Sequence, residues 1–246
     1  MNLKLMALMM MTTLAGNLVS GQMEHDVIKT SGGELGLYFI GHGTLMFTYN
    51  DLVVHIDPVS GEADYSQLPD ADLVLVTHQH GDHLAQKAIG EVQKAGTVVI
   101  MTRACREQLG ETDAMVMDNG DRKVIKGITV EAVPAYNIEH TRPGGGPFHP
   151  KGEGNGYVLT FGDTRVLVAG DTENIPELKA LTPPVDIAFL PMNLPYTMDP
   201  EMVADLAMAM RPSILYPYHY GNTDPQELVN LLKDQQDIEI RIRDLQ

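Results

Sequence analysis

The chain has 246 residues, with 17 Lys+Arg against 33 Asp+Glu and a formal net charge of −16. A field that negative disfavours nucleic acid and anionic membrane surfaces as partners, whereas a small anionic substrate stays open because bound cations would dominate locally. The single cysteine, Cys105, excludes an intramolecular disulfide and a cysteine-based zinc site.

Residues 1–21 read as a secretory signal peptide. Lys4 gives a short positive start, 5–14 is an apolar block too short to span a bilayer, and Val19-Ser20-Gly21 offers small residues before Gln22. This leaves 22–246 as one domain, places the protein in the periplasm or outside the cell, and implies no stable membrane insertion after cleavage. Residues 24–31 are an irregular or strand-like lead-in. Segments 35–39, 45–49 and 52–56 read as consecutive strands, with turns at Gly41-His42-Gly43 and Asn50-Asp51. The third of them ends in Asp57-Pro58.

The run Leu73-Val74-Leu75-Val76 is short, apolar and continuous, as a strand buried on both faces should be. Segment 84–95 then reads as a helix, with Gly96 as its stop. A buried strand at 97–101, a short helix at 103–110 and short strands at 114–117, 123–125 and 129–133 follow. Segment 134–156 is rich in Gly and Pro and reads as a long loop; such loops in compact domains are usually functional or mobile. Strands at 157–161 and 165–169 form a hairpin ending in Gly170-Asp171-Thr172. A strand at 186–190 precedes a helix that starts at Asp199-Pro200, with Asp as N-cap and Pro at N1, and runs to about 210. A strand at 213–217 ends near His219. A last helix begins at Asp224-Pro225, and 238–242 is an edge strand.

The halves repeat. Asp57 to Asp171, Asp72 to Asp186 and His78 to Met192 share one separation, 114 residues. Two β-rich halves flanked by helices predict two packed sheets with helices outside. The repeat sets Asp171 where Asp57 lies, and His219 at the end of the strand that corresponds to 97–101.

Between the strand at 73–76 and its helix stands Thr77-His78-Gln79-His80-Gly81-Asp82-His83-Leu84, at the strand end where open α/β sheets place their sites. His78 and His80, two apart in extended chain, point the same way and can share one cation. Asp82 and His83 follow a Gly that permits a sharp turn toward a second cation. Imidazole suits zinc, iron or manganese, and the carboxylate hardens the second site. Asp171, at the end of a buried strand, is the candidate bridging carboxylate. His219 ends another buried strand.

This His-x-His-x-Asp-His string resembles the signature of the metallo-β-lactamase-fold hydrolases. Phe39-Ile40-Gly41-His42-Gly43 and His55-Ile56-Asp57-Pro58 are similar to the opening motif of that superfamily. Pro195-Tyr196-Thr197-Met198-Asp199-Pro200 and Tyr218-His219-Tyr220-Gly221 are similar to the tail of the subgroup related to ascorbate-6-phosphate lactonase. The resemblance implies an αββα four-layer sandwich of two mixed sheets flanked by helices. It also implies a binuclear site for two divalent ions, zinc first, with manganese or iron possible. The first ion would take His78, His80 and a third imidazole from the long loop. Either His149 or His140 supplies it, and His149 is favoured because Phe148 and Pro150 restrict its backbone. Asn137 stands where many relatives carry that His. The second ion would take Asp82, His83, Asp171 and His219. Asp57 would orient the cluster from behind, His42 would support the site or bind substrate or is an ordinary turn histidine, and Tyr196 and Tyr220 are further substrate candidates.

The implied reaction is hydrolysis of an ester, lactone or phosphodiester of a small molecule by a metal-bound hydroxide, with Asp82 accepting a proton or orienting the nucleophile. Two rival readings share the fold: a metal- or ligand-binding module without turnover, and a di-iron redox protein. Against the second stands the lack of a flavodoxin-like or rubredoxin-like extension.

Overall fold

A computed structural model describes residues 23–110 and 112–246; the expected signal peptide lies outside the described residues. The chain builds two seven-stranded sheets, each in sequential strand order. In the first, β1 (His25–Thr30), β2 (Gly33–Gly41), β3 (Thr44–Tyr49) and β4 (Leu52–Ile56) form an antiparallel ladder. To it β5 (Ala71–Leu75), β6 (Gln93–Met101) and β7 (Met115–Val116) add in parallel. The second sheet repeats the plan. Its antiparallel ladder is β8 (Arg122–Ile125), β9 (Ile128–Ala135), β10 (Gly154–Phe161) and β11 (Thr164–Val168). The strands β12 (Ile187–Pro191), β13 (Ile214–Tyr218) and β14 (Glu239–Ile240) then add in parallel. The internal repeat is thus a repeat of topology: β4 and β11 end at Asp57 and near Asp171, and β6 and β13 occupy matching places.

Helices α1 (Gln86–Glu91) and α2 (Arg103–Leu109) belong to the first half; α3 (Pro176–Lys179), α4 (Pro200–Met210) and α5 (Pro225–Leu231) belong to the second. Period-2 alternation decides the layers. Leu73 and Leu75 of β5 join the large cluster that also takes Phe47, Leu159, Phe161 and Phe189, between the sheets. Val74 and Val76 point the other way, into a second cluster with Ala88, Ile89, Val99 and Cys105 under α1 and α2. Strands buried on both faces need no polar alternation, which is why residues 73–76 and β12 read as unbroken apolar runs.

Two expectations need correction. The helix expected over 84–95 is only α1, and from Gln93 onward the chain belongs to β6. The Ala71 N–H donates to the Val92 carbonyl at 2.7 Å and the Thr97 hydroxyl to the Ala71 carbonyl at 2.6 Å. Strand pairing therefore captures residues whose side chains alone suit a helix. Gly96, with φ of +86°, sits inside this strand and is no helix cap. The short α3, with Pro176 at its start, was not expected; it begins five residues after Asp171 in a stretch without helical periodicity.

The helix starting at Asp199-Pro200 forms as read. Asp199 accepts from the Met202 N–H at 2.7 Å, and α4 buries Val203, Leu206 and Ala207.

Candidate metal centre

Strand ends deliver most of the site. After β5 the Thr77 N–H donates to Asp57 Oδ1 at 2.7 Å, and the Asn155 N–H donates across to the Thr77 carbonyl at 2.9 Å. These bonds fix the exit of the chain into His78. His83 and Leu84 then donate N–H to the His80 carbonyl at 3.0 and 2.8 Å, closing a helical turn. A Cβ at Gly81 would meet nothing within 4 Å, and its φ is not in the left-handed region. The turn is therefore made by these two hydrogen bonds and does not depend on the glycine, contrary to the sequence reading.

Two donor groups result. In the first, His78 Nε2 lies 3.1 Å from His80 Nδ1, His149 Nε2 lies 3.2 Å from the same atom, and Asp171 Oδ2 lies 3.2 Å from His149 Nε2 and 3.7 Å from His78 Nε2. In the second, His42, Asp82, His83 and His219 each offer a donor, and all four atoms lie within 4.8 Å of one another. Asp171 Oδ1 faces this group, 3.4 Å from His83 Nε2 and 3.6 Å from His219 Nε2. One carboxylate therefore presents one oxygen to each group.

The donors fit divalent cations. His83 Nε2, Asp171 Oδ1 and His219 Nε2 are buried without a hydrogen-bond partner. Leaving such an atom unsatisfied costs about 1–3 kcal/mol, a cost that coordination would remove. Imidazole nitrogens with carboxylate oxygens are the donor set of zinc, iron and manganese sites. The electrostatics agree. Burial disfavours charge on Asp171, yet the surrounding imidazoles of His219, His83 and His78 hold its carboxyl well below the usual range. Burial also disfavours charge on His83, but Asp171 and Asp57 outweigh it and raise that imidazole to about 9. The pocket thus favours positive charge at its centre.

Behind the donors, second partners fix the rings of His83, His78 and His149. Asp57, fully buried with φ of +45°, accepts from His83 Nδ1 at 2.8 Å and from the Thr77 hydroxyl at 2.6 Å. His78 Nδ1 lies 3.1 Å from that hydroxyl, so Asp57 reaches both groups, the first through Thr77. His149 Nδ1 donates to Asn137 Oδ1 at 2.7 Å, which turns Nε2 inward. Asn137 donates in turn to Glu173 Oε1 and to the Tyr196 carbonyl, each at 2.9 Å. Glu173, with no exposed surface, also accepts N–H bonds from Ile138, Glu139 and His140 at 2.6 to 2.8 Å. It pins the start of the loop that carries His149.

The structure brings together His78, His80, Asp82, His83, His149, Asp171 and His219, with Asp57 behind them and His42 at the edge. His140 is outside both groups, because its Nδ1 contacts Glu173 Oε1 at 2.8 Å. Tyr196 lines a cleft of about 420 Å³ in front of the donors, together with Phe148, Asn193 and Asp82. Tyr220 does not line this cleft; its hydroxyl donates to the Arg243 carbonyl at 2.8 Å. Sequence reasoning missed Glu173, Asn193 and Arg142, whose guanidinium donates to the Phe148 carbonyl at 2.8 Å and lies 3.3 Å from His80 Nε2. Nothing in the local sequence sets Glu173 apart from any other acid after a strand.

Known proteins carry the same arrangement of chain. The profile of the β-lactamase superfamily domain matches residues 36–219. A Thermococcus kodakarensis protein described as a metal-dependent hydrolase is 28% identical over 218 residues, 82% of this chain and 94% of the relative. A crystal structure of a Parabacteroides distasonis protein described as a metal-dependent hydrolase superposes with a TM-score of 0.85 at 47% identity, over 91% of this chain and all of that one. A di-iron β-hydroxylase from Streptomyces venezuelae shares the fold at a TM-score of 0.69 and 18% identity, covering 85% of this chain and 52% of its own.

Proposed function

This chain belongs to the β-lactamase superfamily and is a metal-dependent hydrolase of that fold; from that premise we propose that it holds two divalent cations bridged by Asp171 and hydrolyses an ester, lactone or phosphodiester of a small molecule. The observation that carries the reading is the divided carboxylate: Asp171 Oδ2 faces His78 and His149, while Oδ1 faces His83 and His219. His78, His80 and His149 would hold the first cation, and Asp82, His83 and His219 the second. Such cations supply Lewis acidity toward the substrate oxygen and bring a water's pKa toward about 7.

The protein's own groups do the rest. Asp82 and Asp171 both line the cleft, but Asp82, with its side chain 52% exposed, is open to solvent where Asp171 is buried. Burial opposes charge on Asp82, but His219 and His42 beside it hold its carboxyl below the usual range, so Oδ2 is ionised at neutral pH and orients the attacking water as a hydrogen-bond acceptor. Phe148 and Tyr196, with ring centroids 5.2 Å apart, form an apolar wall that seats the substrate body, and the Asn193 amide faces the same cleft. Residues 1–21 would direct export, so that the mature chain begins near Gln22; N-terminal sequencing that finds Met1 in a cytosolic fraction contradicts this.

Metal analysis paired with turnover on generic esters, lactones and phosphodiesters tests the reading. Two ions per chain with turnover are expected, and Asp171→Ala should lose at least one ion. Equal metal content in both proteins would remove the bridge; two ions without turnover on any bond class would leave a binding module.

A further inference from the structure

We propose that His42 is a direct protein ligand of the second cation, so that this site carries three imidazoles and two carboxylates rather than two of each. The proposal rests on the two-cation reading above and adds a donor to it. Its first support is position. The donor atoms of His42, Asp82, His83 and His219 all lie within 4.8 Å of one another. Bonds of about 2.1 Å place opposite donors of one cation roughly 4.2 Å apart, so the four can converge with modest movement.

The second support is the tautomer. His42 Nδ1 lies 2.8 Å from the main-chain oxygen of Gln246, an atom that only accepts, so Nδ1 carries the hydrogen. Nε2 is then the ring nitrogen turned into the group, 3.4 Å from Asp82 Oδ2. The unpartnered Nε2 atoms of His83 and His219 aim at the same place, which favours a shared cation over a proton held by one pair.

The third support is that the turn is built to bring this ring in. His42 has φ of +48°, a left-handed conformation uncommon outside glycine, though histidine is among the residues that visit it most. Its carbonyl accepts the His219 N–H at 3.2 Å, and the two rings lie 3.8 Å apart. A Cβ on neighbouring Gly43 would stand 2.7 Å from His83 Cε1, so only glycine lets the turn press against the second group. His219 has no partner at Nδ1, so contact with the His42 ring takes the place of the orienting hydrogen bond that His83, His78 and His149 have.

Five protein donors suit an ion that accepts five or six ligands, while the first site keeps the three imidazoles and shared carboxylate that suit tetrahedral zinc. The test measures stepwise dissociation constants by chelator competition, with zinc at the first site and Co(II) or Mn(II) at the second, in wild type, His42→Ala and His42→Asn. Asparagine tolerates the left-handed backbone and guards against misfolding. Both variants should weaken the second ion at least tenfold and leave the first within about twofold. The visible absorption of second-site Co(II) should intensify as its coordination number falls. Unchanged affinity and spectrum with lowered turnover would overturn the proposal and assign His42 to the substrate. Fewer than two ions in wild type would instead sink the two-cation reading itself.

Discussion

The two donor groups differ in what holds them. The second is built from ends of regular structure: His83 in the turn after β5, His219 after β13, and Asp57 after β4 bonded directly to His83. The first depends on a loop, because His149 comes from the stretch between β9 and β10 and reaches the site through Asn137 and Glu173. A charged partner fixes the ring in one case and a neutral amide backed by a buried carboxylate in the other. The lesson is that the first site should be the weaker and more easily lost, since its third imidazole, His149, is held by a chain of side chains rather than by the sheet.

The largest break in that comparison should come from His149→Ala. It removes the loop's imidazole, so the first ion and the activity should both go, while the second ion stays. His140→Ala, acting on a ring bonded to the Glu173 anchor and outside both donor groups, should change turnover several-fold at most. A dead His140→Ala beside an active His149→Ala, read from metal analysis and steady-state kinetics, would reverse the roles.

Glu173→Gln comes next. The amide keeps the size but puts an NH2 in place of one oxygen, set either against the N–H donors of Ile138 and Glu139 or against those of Asn137 and His140. First-site affinity should fall about 10–100-fold, the range expected on losing a partner behind a ligand, with the second site unchanged. Asp57→Asn should instead weaken both sites, the second more, since Asp57 holds His83 directly and His78 through Thr77. If Glu173→Gln and Asp57→Asn give the same pattern in chelator titrations, the loop and the strand ends are not distinct supports.

How much of this could be read from the residues follows the same division. Leu73 to Val76, the His-rich string after it, Asp171 and His219 were legible because strand periodicity and strand-end placement are local signals. The 114-residue repeat carried that reading across both halves, and the sheets keep it. The end of the first helix was not legible: from Gln93 the choice of strand depends on pairing with Ala71, a tertiary fact. Nor was the support of His149. Asn137 reads as a missing imidazole, and only the fold shows its amide between His149 and Glu173. Tyr220 failed for a similar reason, since its neighbour in sequence enters the site while its own hydroxyl turns to Arg243.

The smallest expected effect comes from an imidazole outside both groups. His55 has no exposed surface, and its Nε2 lies 3.0 Å from the Pro69 carbonyl. Burial lowers it to about 4. The folded value lies below the unfolded value of about 6.5, so the unfolded chain takes up the proton first as pH falls. Its contribution is fully present above pH 6.5 and is lost on acidification toward 4. Between pH 7.5 and 6 that loss is roughly 1 kcal/mol, a shift of about 2–4 °C in Tm for a domain of this size. His55→Gln, followed by calorimetry, should show a flatter Tm profile over this interval; a parallel profile would show that this ring does not set acid sensitivity.

The central claim is that Asp171 joins two cation sites. Crystals grown with zinc, with diffraction recorded on both sides of the zinc absorption edge, test it most directly. Two anomalous peaks about 3.5–4 Å apart are expected, one beside His78, His80 and His149 and the other beside Asp82, His83 and His219, with one Asp171 oxygen on each. A single peak, or two peaks of which Asp171 touches only one, would contradict the account.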